Sequence, residues 1–170
     1  MATERIVQDG DPVLRAVAKA VPKKDLGSPA LTKVIKKMHT ALAPEKYGVA
    51  IAAPQVGESL RVFVVAGRVF MEPQEEDSKE PVPANRVYIN PEITRSSRAK
   101  KDESEGCLSV RHIYGMVARH EKVTLRAYDE HGELVVENAS GLLAQIFQHE
   151  VDHLNGILFI DKAKDLHESQ

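Results

Sequence analysis

Two histidines separated by three residues constrain the fold of this chain more than any other feature. They stand in the stretch Gln148-His149-Glu150-Val151-Asp152-His153, and apolar residues surround them at helical spacing. In a helix, His149 and His153 lie one turn apart on the same face, where both imidazoles can bind one metal ion with Glu150 beside them. Because the neighbouring residues are apolar, the histidines are expected to point into a pocket. The apolar positions are Leu142, Leu143, Ile146, Phe147, Val151 and Leu154.

Both ends of this helix carry suitable signals. Asn138 or Ser140 can cap its start, and Asn155-Gly156 can end it. The pattern His-Glu-x-x-His alone is not decisive, since it arises by chance in roughly one chain of this length in a few hundred. Two ordinary histidines a turn apart therefore remain an alternative until a third ligand is found.

Cys107 is the candidate for that third ligand. It is the single cysteine, so an intrachain disulfide is excluded, and from its residue type alone an inert buried thiol is the alternative. A thiolate with two imidazoles leaves a fourth coordination position for water, which is the arrangement of a catalytic site. Glu150 could then take a proton from the water and pass it to a leaving amine. Gln55 and a backbone N–H near Leu108 are candidate donors to the carbonyl oxygen of the substrate.

The composition is that of an ordinary globular protein. The chain has 170 residues, of which 42% are hydrophobic and 28% charged, so a single domain spanning residues 1–170 is expected. The net charge of -2 gives no general attraction to nucleic acid or to a membrane surface. No apolar run approaches the roughly 20 residues that span a bilayer, and the N-terminus shows no signal or transit segment. A cytoplasmic protein is expected.

The order of elements predicts an α+β fold, with antiparallel strands packed around a central metal-binding helix. An amphipathic helix is predicted over residues 28–43, where Ser28-Pro29 can begin it. Residues 71–85 are acidic and rich in proline, which is typical of an exposed loop. The predicted strands are residues 60–66, residues 86–90 ended by Pro91, one long strand over 117–128, its hairpin partner 133–137, and a last strand over 157–160 before a charged tail. After Pro91, residues 92–98 can continue as extended chain.

Small side chains dominate the stretch Tyr47 to Gly57. They are unusual in a strand that only fills a core, because they let another backbone approach closely. Two interpretations are equally supported: a pocket wall whose exposed edge binds an extended peptide, or a tight strand and turn packed under a helix. The amide of Gln55 could donate a hydrogen bond into such a pocket.

Three motifs together resemble those of peptide deformylases. They are Gly48-Val49-Ala50-Ile51-Ala52-Ala53-Pro54-Gln55, Glu105-Gly106-Cys107-Leu108-Ser109 and Gln148-His149-Glu150-Val151-Asp152-His153, in the order of the family. The resemblance implies the deformylase fold and the removal of the formyl group from the N-terminal methionine of new proteins, with release of formate. Nascent formyl-Met polypeptides would be the direct partner and the ribosome an indirect one, with no direct binding of nucleic acid and no membrane.

The resemblance also implies roles for individual residues. Cys107, His149 and His153 would hold the metal, Glu150 would be the general acid and base, and Gln55 with the backbone of Leu108 would polarise the formyl oxygen. Fe²⁺ is the metal expected in the cell, and Zn²⁺, Ni²⁺ or Co²⁺ could occupy the same ligands.

Residues around this set are expected to support it. Glu105, Arg119 and Asp152 are predicted to orient the ligands, with Arg119 pairing with Asp152. The residues predicted to bind the substrate are Gly48, Val49, Ala50 and Ile51 along an extended peptide, with Ile51, Tyr114 and Ile146 around the methionine side chain.

The chain departs from the family pattern at two positions. Ala50 stands where the family usually has a second glycine, and Arg111 stands where a proline commonly follows the cysteine motif. Two other functions remain as alternatives. One is a zincin-like metallopeptidase, which would need a third ligand from the charged tail. The other is a binding module that kept the fold and lost catalysis. The five other histidines lack the spacing of metal ligands and are expected to be structural or exposed: His39, His112, His120, His131 and His167.

Overall fold

The computed structural model describes residues 4–72 and 79–169, which form two antiparallel sheets and two α-helices. The five-stranded sheet has the order β1-β2-β3-β6-β7 and the three-stranded sheet the order β4-β5-β8. This confirms the predicted α+β class. The helices are α1 (Pro29–Leu42) and α2 (Gly141–Leu154). The strands are β1 (Ala50–Ala52), β2 (Val62–Val65), β3 (Arg86–Ser96), β4 (Lys100–Cys107), β5 (Val110–His120), β6 (Lys122–Tyr128), β7 (Leu134–Ser140) and β8 (Lys164–Glu168).

The five-stranded sheet lies between the two helices. Alternate residues of its central strands face opposite sides, as the pleat of a strand requires. Ile51 and Val64 pack into a core cluster with α1, whereas Phe63 packs into a second cluster with α2. In this second cluster the ring of Phe63 stacks on Tyr88 at 5.0 Å, and Tyr88 meets Phe147 of α2 edge-on at 5.1 Å. Helix α2 is therefore fixed against the sheet by aromatic packing.

Helix α1 agrees with the helix predicted over residues 28–43. Ser28 Oγ accepts a hydrogen bond from the Leu31 N–H at 3.2 Å, and Pro29 occupies the first turn. Its buried face carries Leu31, Ile35, Met38, Ala41 and Leu42. These residues fill the space between α1 and the sheet.

Helix α2 begins and ends where the sequence indicated, although its start is not capped as expected. Ser140 precedes the helix, but its side chain makes no capping hydrogen bond, and Asn138 instead accepts one from Thr124. At the other end, Gly156 has a φ of +75°, and a Cβ there would lie 2.4 Å from the carbonyl oxygen of Arg15. Glycine is required at this position because both the conformation and the space exclude a side chain.

The predicted end of a strand at Pro91 is wrong, whereas the extended backbone predicted for residues 92–98 is confirmed as far as Ser96. Strand β3 continues through Pro91 to Ser96, and its register with β6 shifts between Ile89 and Glu92. Asn90 has a φ of +51° at this irregularity. The missing N–H of a proline is tolerated at such a bulge, because the bulge takes the residue out of the regular ladder.

The single strand predicted over residues 117–128 is two strands that belong to different sheets. They separate at Glu121, whose N–H donates to the carbonyl of Ala99. The alternation of residue types runs through this position without glycine or proline, so the sequence carried no turn signal. Strand β4, which pairs with β5, was not predicted because charged residues dominate it.

The strand predicted over residues 157–160 is also wrong. Phe159–Asp161 form a turn of 3-10 helix, and the Leu158 N–H donates to the carboxylate of Asp161 at 3.0 Å. The charged tail forms β8 instead, which pairs with β5. Every residue of β8 is exposed, so no apolar alternation marks it as a strand.

The acidic segment 71–85 lies only partly within the described residues. Residues 71–72 and 79–85 contain neither helix nor strand and are mostly exposed, and the rest of the predicted loop, 73–78, lies outside the described residues. Among the helices of the described chain, none has the length and apolar character needed to cross a membrane.

Candidate metal centre and adjoining pocket

The three predicted metal ligands lie together. Helix α2 places the rings of His149 and His153 with centroids 5.0 Å apart, and β4 ends at Cys107 beside them. The Cys107 Sγ lies 3.3 Å from His153 Nε2, and the nearest ligand atoms of the three residues all lie within 4.8 Å of one another. In the described part of the chain this is the one group of three such side chains that could hold a metal.

The chemistry of this group fits a divalent metal ion. Ligands of a tetrahedral site with one sulfur and two nitrogens are separated by about 3.5 Å, which is close to the distance between Cys107 and His153. Burial raises the pKa of the Cys107 thiol, but the two neighbouring histidines outweigh burial and bring this pKa down to about 5. The thiolate, which is the form that binds metal, is therefore favoured at neutral pH.

A buried ionic network orients His149. Its Nδ1 lies 2.8 Å from Glu105, and Arg119 binds both oxygens of this carboxylate at 2.6 and 2.7 Å. Burial raises the pKa of Glu105, but the hydrogen bonds from Arg119 and His149 outweigh burial and lower this pKa to about 2. The carboxylate therefore accepts the Nδ1 proton, so Nε2 of His149 is the nitrogen that would bind a metal ion. The predicted pair is also present, with Arg119 Nη1 lying 2.7 Å from Asp152.

Glu150 lies in the wall of the pocket beside the ligands. It is buried, and its Oε2 has no hydrogen-bond partner among the described residues. Burial raises the pKa of this carboxyl group. A buried oxygen without a partner is costly unless a ligand supplies one, so the position suits a group that exchanges a proton with bound water or substrate. His153 Nδ1 likewise has no partner in the described structure.

The amide of Gln55 is turned towards the cysteine. Its Oε1 accepts from the Ala52 N–H at 2.9 Å, which leaves its NH₂ group facing Ser109 at 3.1 Å and the Cys107 sulfur at 3.6 Å. The Ser109 N–H also contacts this sulfur, at 3.4 Å. Sequence reasoning included Ser109 in a motif but gave it no role, although a hydroxyl two residues after a metal ligand was a usable signal.

Gly48 lets the first motif approach the second. A Cβ at Gly48 would lie 3.0 Å from Glu45 Cβ and 3.2 Å from Leu108 Cδ1, which is tight contact. The carbonyl of Leu108 accepts from Gln8 at 2.9 Å, which fixes the turn between β4 and β5. This packing holds the backbone of residues 48–50 opposite the metal ligands.

A pocket of about 610 Å³ opens in front of the ligands. It is lined by Gly48, Val49 and Ala50 on one side and by Tyr114 and Ile146 elsewhere, all of them residues that were predicted to bind the substrate. The backbone of Ala50 does not have a positive φ, so the alanine at this position causes no backbone strain.

The expectation for Ile51 is wrong. Its side chain is fully buried in the cluster with α1 and does not line the pocket. Neighbouring residues of a strand face opposite sides: Ala50 and Ala52 face the core cluster beside α2, whereas Ile51 faces the cluster beside α1. The two interpretations of residues 47–57 are both partly right: β1 is the edge strand of its sheet beside the pocket, while Ala53–Val56 form a buried turn under α1.

Several pocket residues were missed. Tyr47 and Leu142 lie at the rim of the pocket and are 85% and 53% exposed. The exposure of these large side chains is a property of the folded chain, so the sequence alone did not indicate them. Gln145 reaches from α2 to the Ser104 carbonyl at 3.0 Å. Of the five histidines expected to be structural or exposed, His112 also lines the pocket, although none of the five joins the metal group.

Comparison with known proteins agrees with this geometry. The profile of the family Polypeptide deformylase matches residues 3–169. The peptide deformylase of Carboxydothermus hydrogenoformans is 41% identical over 98% of this chain and 97% of its own length. The Met-Ala-Ser-bound crystal structure of the class I type b peptide deformylase from Acinetobacter baumannii has a TM-score of 0.81 at 37% identity and covers 95% of this chain and 98% of its own. A peptide deformylase structure from Legionella pneumophila has a TM-score of 0.79 at 38% identity, covering 96% of this chain and 88% of its own.

The fold and the site define a metal-dependent hydrolase, in which a thiolate and two imidazoles stand beside a buried carboxyl group. The comparisons specify the kind of hydrolase. The chain belongs to the polypeptide deformylase family, whose reaction is the removal of the N-formyl group from newly synthesised proteins.

Proposed function

We propose that this chain performs the family's reaction with Cys107, His149 and His153 as the ligands of one divalent ion and Glu150 as the general acid and base. The observation that carries this assignment is the buried oxygen of Glu150 that has no partner among the described residues and lies next to the ligand group, in the wall of the pocket. When bound, the ion would act as a Lewis acid that activates water and polarises the formyl carbonyl. Fe²⁺ is the ion proposed for the cell, although the same ligands accept Zn²⁺, Ni²⁺ or Co²⁺.

Glu150 moves the proton. Its free carboxylate oxygen accepts a proton from the attacking water, and the carboxylic acid then donates this proton to the methionine nitrogen as the C–N bond breaks. Formate and a free amine are the products. Burial raises the pKa of Glu150, which favours holding the proton between the two steps.

Two donors stabilise the charge that develops on the formyl oxygen. The NH₂ group of Gln55 is held towards Cys107 by the contact of its Oε1 with Ala52. The backbone N–H of Leu108, next to Cys107 in the same turn, is the second proposed donor. Donors fixed before the reaction cost no reorganisation when the charge appears.

The rest of the pocket holds the peptide. The edge strand around Val49 and Ala50 offers main-chain groups to an extended peptide, which gives affinity without dependence on its sequence. The methionine side chain is proposed to lie against Ile146 of α2 and Tyr114 of β5, both of which line the pocket. The Acinetobacter relative was solved with Met-Ala-Ser bound, a tripeptide that deformylation of formyl-Met-Ala-Ser would release.

We further propose that residues 1–170 act as one domain in the cytoplasm on nascent formyl-Met chains, with the ribosome as an indirect partner. The two other candidate functions have less support. The tail that a zincin would need for its third ligand forms β8 against β5, and the side chain that lies with the two histidines is Cys107. A binding module would not need Glu150 in place beside three metal ligands.

The test is formate release from formyl-Met-Ala-Ser by protein purified without oxygen, with bound metal quantified in the same sample. We expect about one metal ion per chain and activity that is lost on chelation and restored by adding Fe²⁺. Protein carrying a full equivalent of metal that releases no formate would overturn the proposed function.

A further inference from the structure

An arginine and a glutamate form an ion pair at the rim of the pocket. Arg111 Nη2 lies 2.8 Å from Glu45 Oε1, and Nη1 lies 3.3 Å from Oε2, so the guanidinium meets the carboxylate with two parallel contacts. The side chains are 43% and 23% exposed. A two-point contact of this kind fixes the relative orientation of its partners as well as their distance.

The pair joins the two walls between which the peptide is proposed to lie. Glu45 stands three residues before Gly48 in one wall, and Arg111 stands four residues after Cys107 in the other. Between these walls the pair is the single ion pair in the described structure. An apolar contact lies near the pair, because the side chain of Leu108 is close to Gly48.

The pair also separates the pocket from a second cavity. Pro44, Glu45 and Arg111 line both the metal pocket and a neighbouring cavity of about 510 Å³. The far side of this second cavity is formed by Ile6 and Gln8 among others. If the pair were broken, its two side chains could swing apart. The peptide groove, which is the part of the pocket between the two walls, could then widen into this second cavity.

We propose that the Arg111–Glu45 pair is a positioning contact that sets the width of the peptide groove and so determines peptide affinity rather than the rate of formyl hydrolysis. Neither side chain belongs to the metal group or is assigned to the reacting atoms, so both act through the walls that they join. This inference rests on the proposed function, since it assumes that the pocket binds the peptide. Because the pair is partly exposed, its effect should weaken as the salt concentration rises.

The test compares three variants with wild type: Arg111→Gln, Glu45→Gln, and a double variant in which the charges are exchanged by Glu45→Arg and Arg111→Glu together. The matched control is Arg15→Gln, since Arg15 pairs with Asp161 at similar exposure but does not line the pocket. For each protein, kcat and KM are measured with formyl-Met-Ala-Ser, and the Kd of the product Met-Ala-Ser is measured by calorimetry at low and high salt.

We expect both single variants to raise KM and Kd by about fivefold at low salt, with kcat within about twofold of wild type. The double variant should restore KM to within about twofold, and Arg15→Gln should change neither constant. The difference between wild type and the single variants should shrink at high salt.

Any one of three results would overturn the inference. They are unchanged KM and Kd in both single variants, a fall in kcat as large as the rise in KM, and a KM in the double variant no better than in the single variants. The proposed function fails by a different result, namely wild-type protein that carries metal but releases no formate. In that case the Kd values for Met-Ala-Ser still test the role of the Arg111–Glu45 pair, because binding of the product requires no chemistry. If neither wild type nor any variant binds the tripeptide, the inference is overturned as well.

Discussion

The orientation of His149 depends on one carboxylate. Glu105 holds the ring through Nδ1 and is itself held by both arms of Arg119. Replacing a group that hydrogen-bonds a metal ligand typically lowers metal affinity by roughly 10- to 100-fold. Compared with apolar side chains of the same volume, a buried ion pair gives little net stabilisation, so the network is expected to serve chiefly the metal site.

Glu105→Gln should therefore weaken metal binding by about 10- to 100-fold, since a neutral amide is a poorer acceptor for the imidazole N–H. Competition with a metal chelator measures the change in Kd. Glu103→Gln is the matched control, because Glu103 lies on the same strand and its ion pair in the described structure is with the exposed Lys101. Equal metal affinity in the two variants would contradict the role given to Glu105.

The side chain of Gln55 should affect the rate and leave the metal in place. Gln55→Leu removes the NH₂ group that faces Cys107, and loss of one such donor typically lowers kcat by about 100-fold. Metal content, measured in the same preparation, should stay at the wild-type level. A variant that keeps wild-type kcat would show that this amide does not stabilise the reacting carbonyl.

Helix α2 shows why the site was more predictable than the strands around it. Its apolar residues recur at helical spacing, so the positions of His149 and His153 on one face followed from the sequence alone. Strand β4 consists largely of charged residues, and β8 is exposed throughout, so their pairing depends on main-chain hydrogen bonds that leave no pattern in the sequence. The direction of the Ile51 side chain could not be predicted either, because β1 is buried on both faces and has no alternation of apolar and polar residues.

The C-terminal end of α2 depends on Gly156. Gly156→Ala should lower the free energy of unfolding by about 3 kcal/mol, because alanine is strained at positive φ and its Cβ would meet the Arg15 carbonyl. Gly141 is a suitable control, since its φ is +58° but a Cβ there would meet nothing within 4 Å. Gly141→Ala should cost only about 1 kcal/mol. Urea unfolding measures both values, and equal losses would show that the clash with Arg15 is relieved at no cost.

At the scale of the whole molecule, the proposed metal site joins elements that are distant in sequence. Cys107 ends β4 in the three-stranded sheet, while the histidines lie on α2, which packs on the five-stranded sheet. A ligand that binds only the folded chain stabilises it by mass action. The metal is therefore expected to stabilise the whole molecule and not only its pocket.

Adding a divalent metal to chelated protein should raise the free energy of unfolding by about 2.7 kcal/mol when free metal is about a hundred times its Kd. Cys107→Ala should remove this increase, because two histidines alone leave the site without its thiolate. The comparison is made by urea unfolding with and without metal. An equal increase in the variant would place the stabilising metal somewhere other than at these three ligands.

The most direct test of the central claim is a comparison of Glu150→Gln with wild type in metal content and in kcat for formyl-Met-Ala-Ser. Glutamine keeps the size of the side chain but cannot accept the proton, so the variant should bind about one metal ion per chain and lose at least about 100-fold in kcat. Glu130→Gln, which changes an exposed turn residue, should match wild type in both measurements. A Glu150→Gln variant with full metal and wild-type kcat would contradict the assignment of Glu150 as the group that moves the proton.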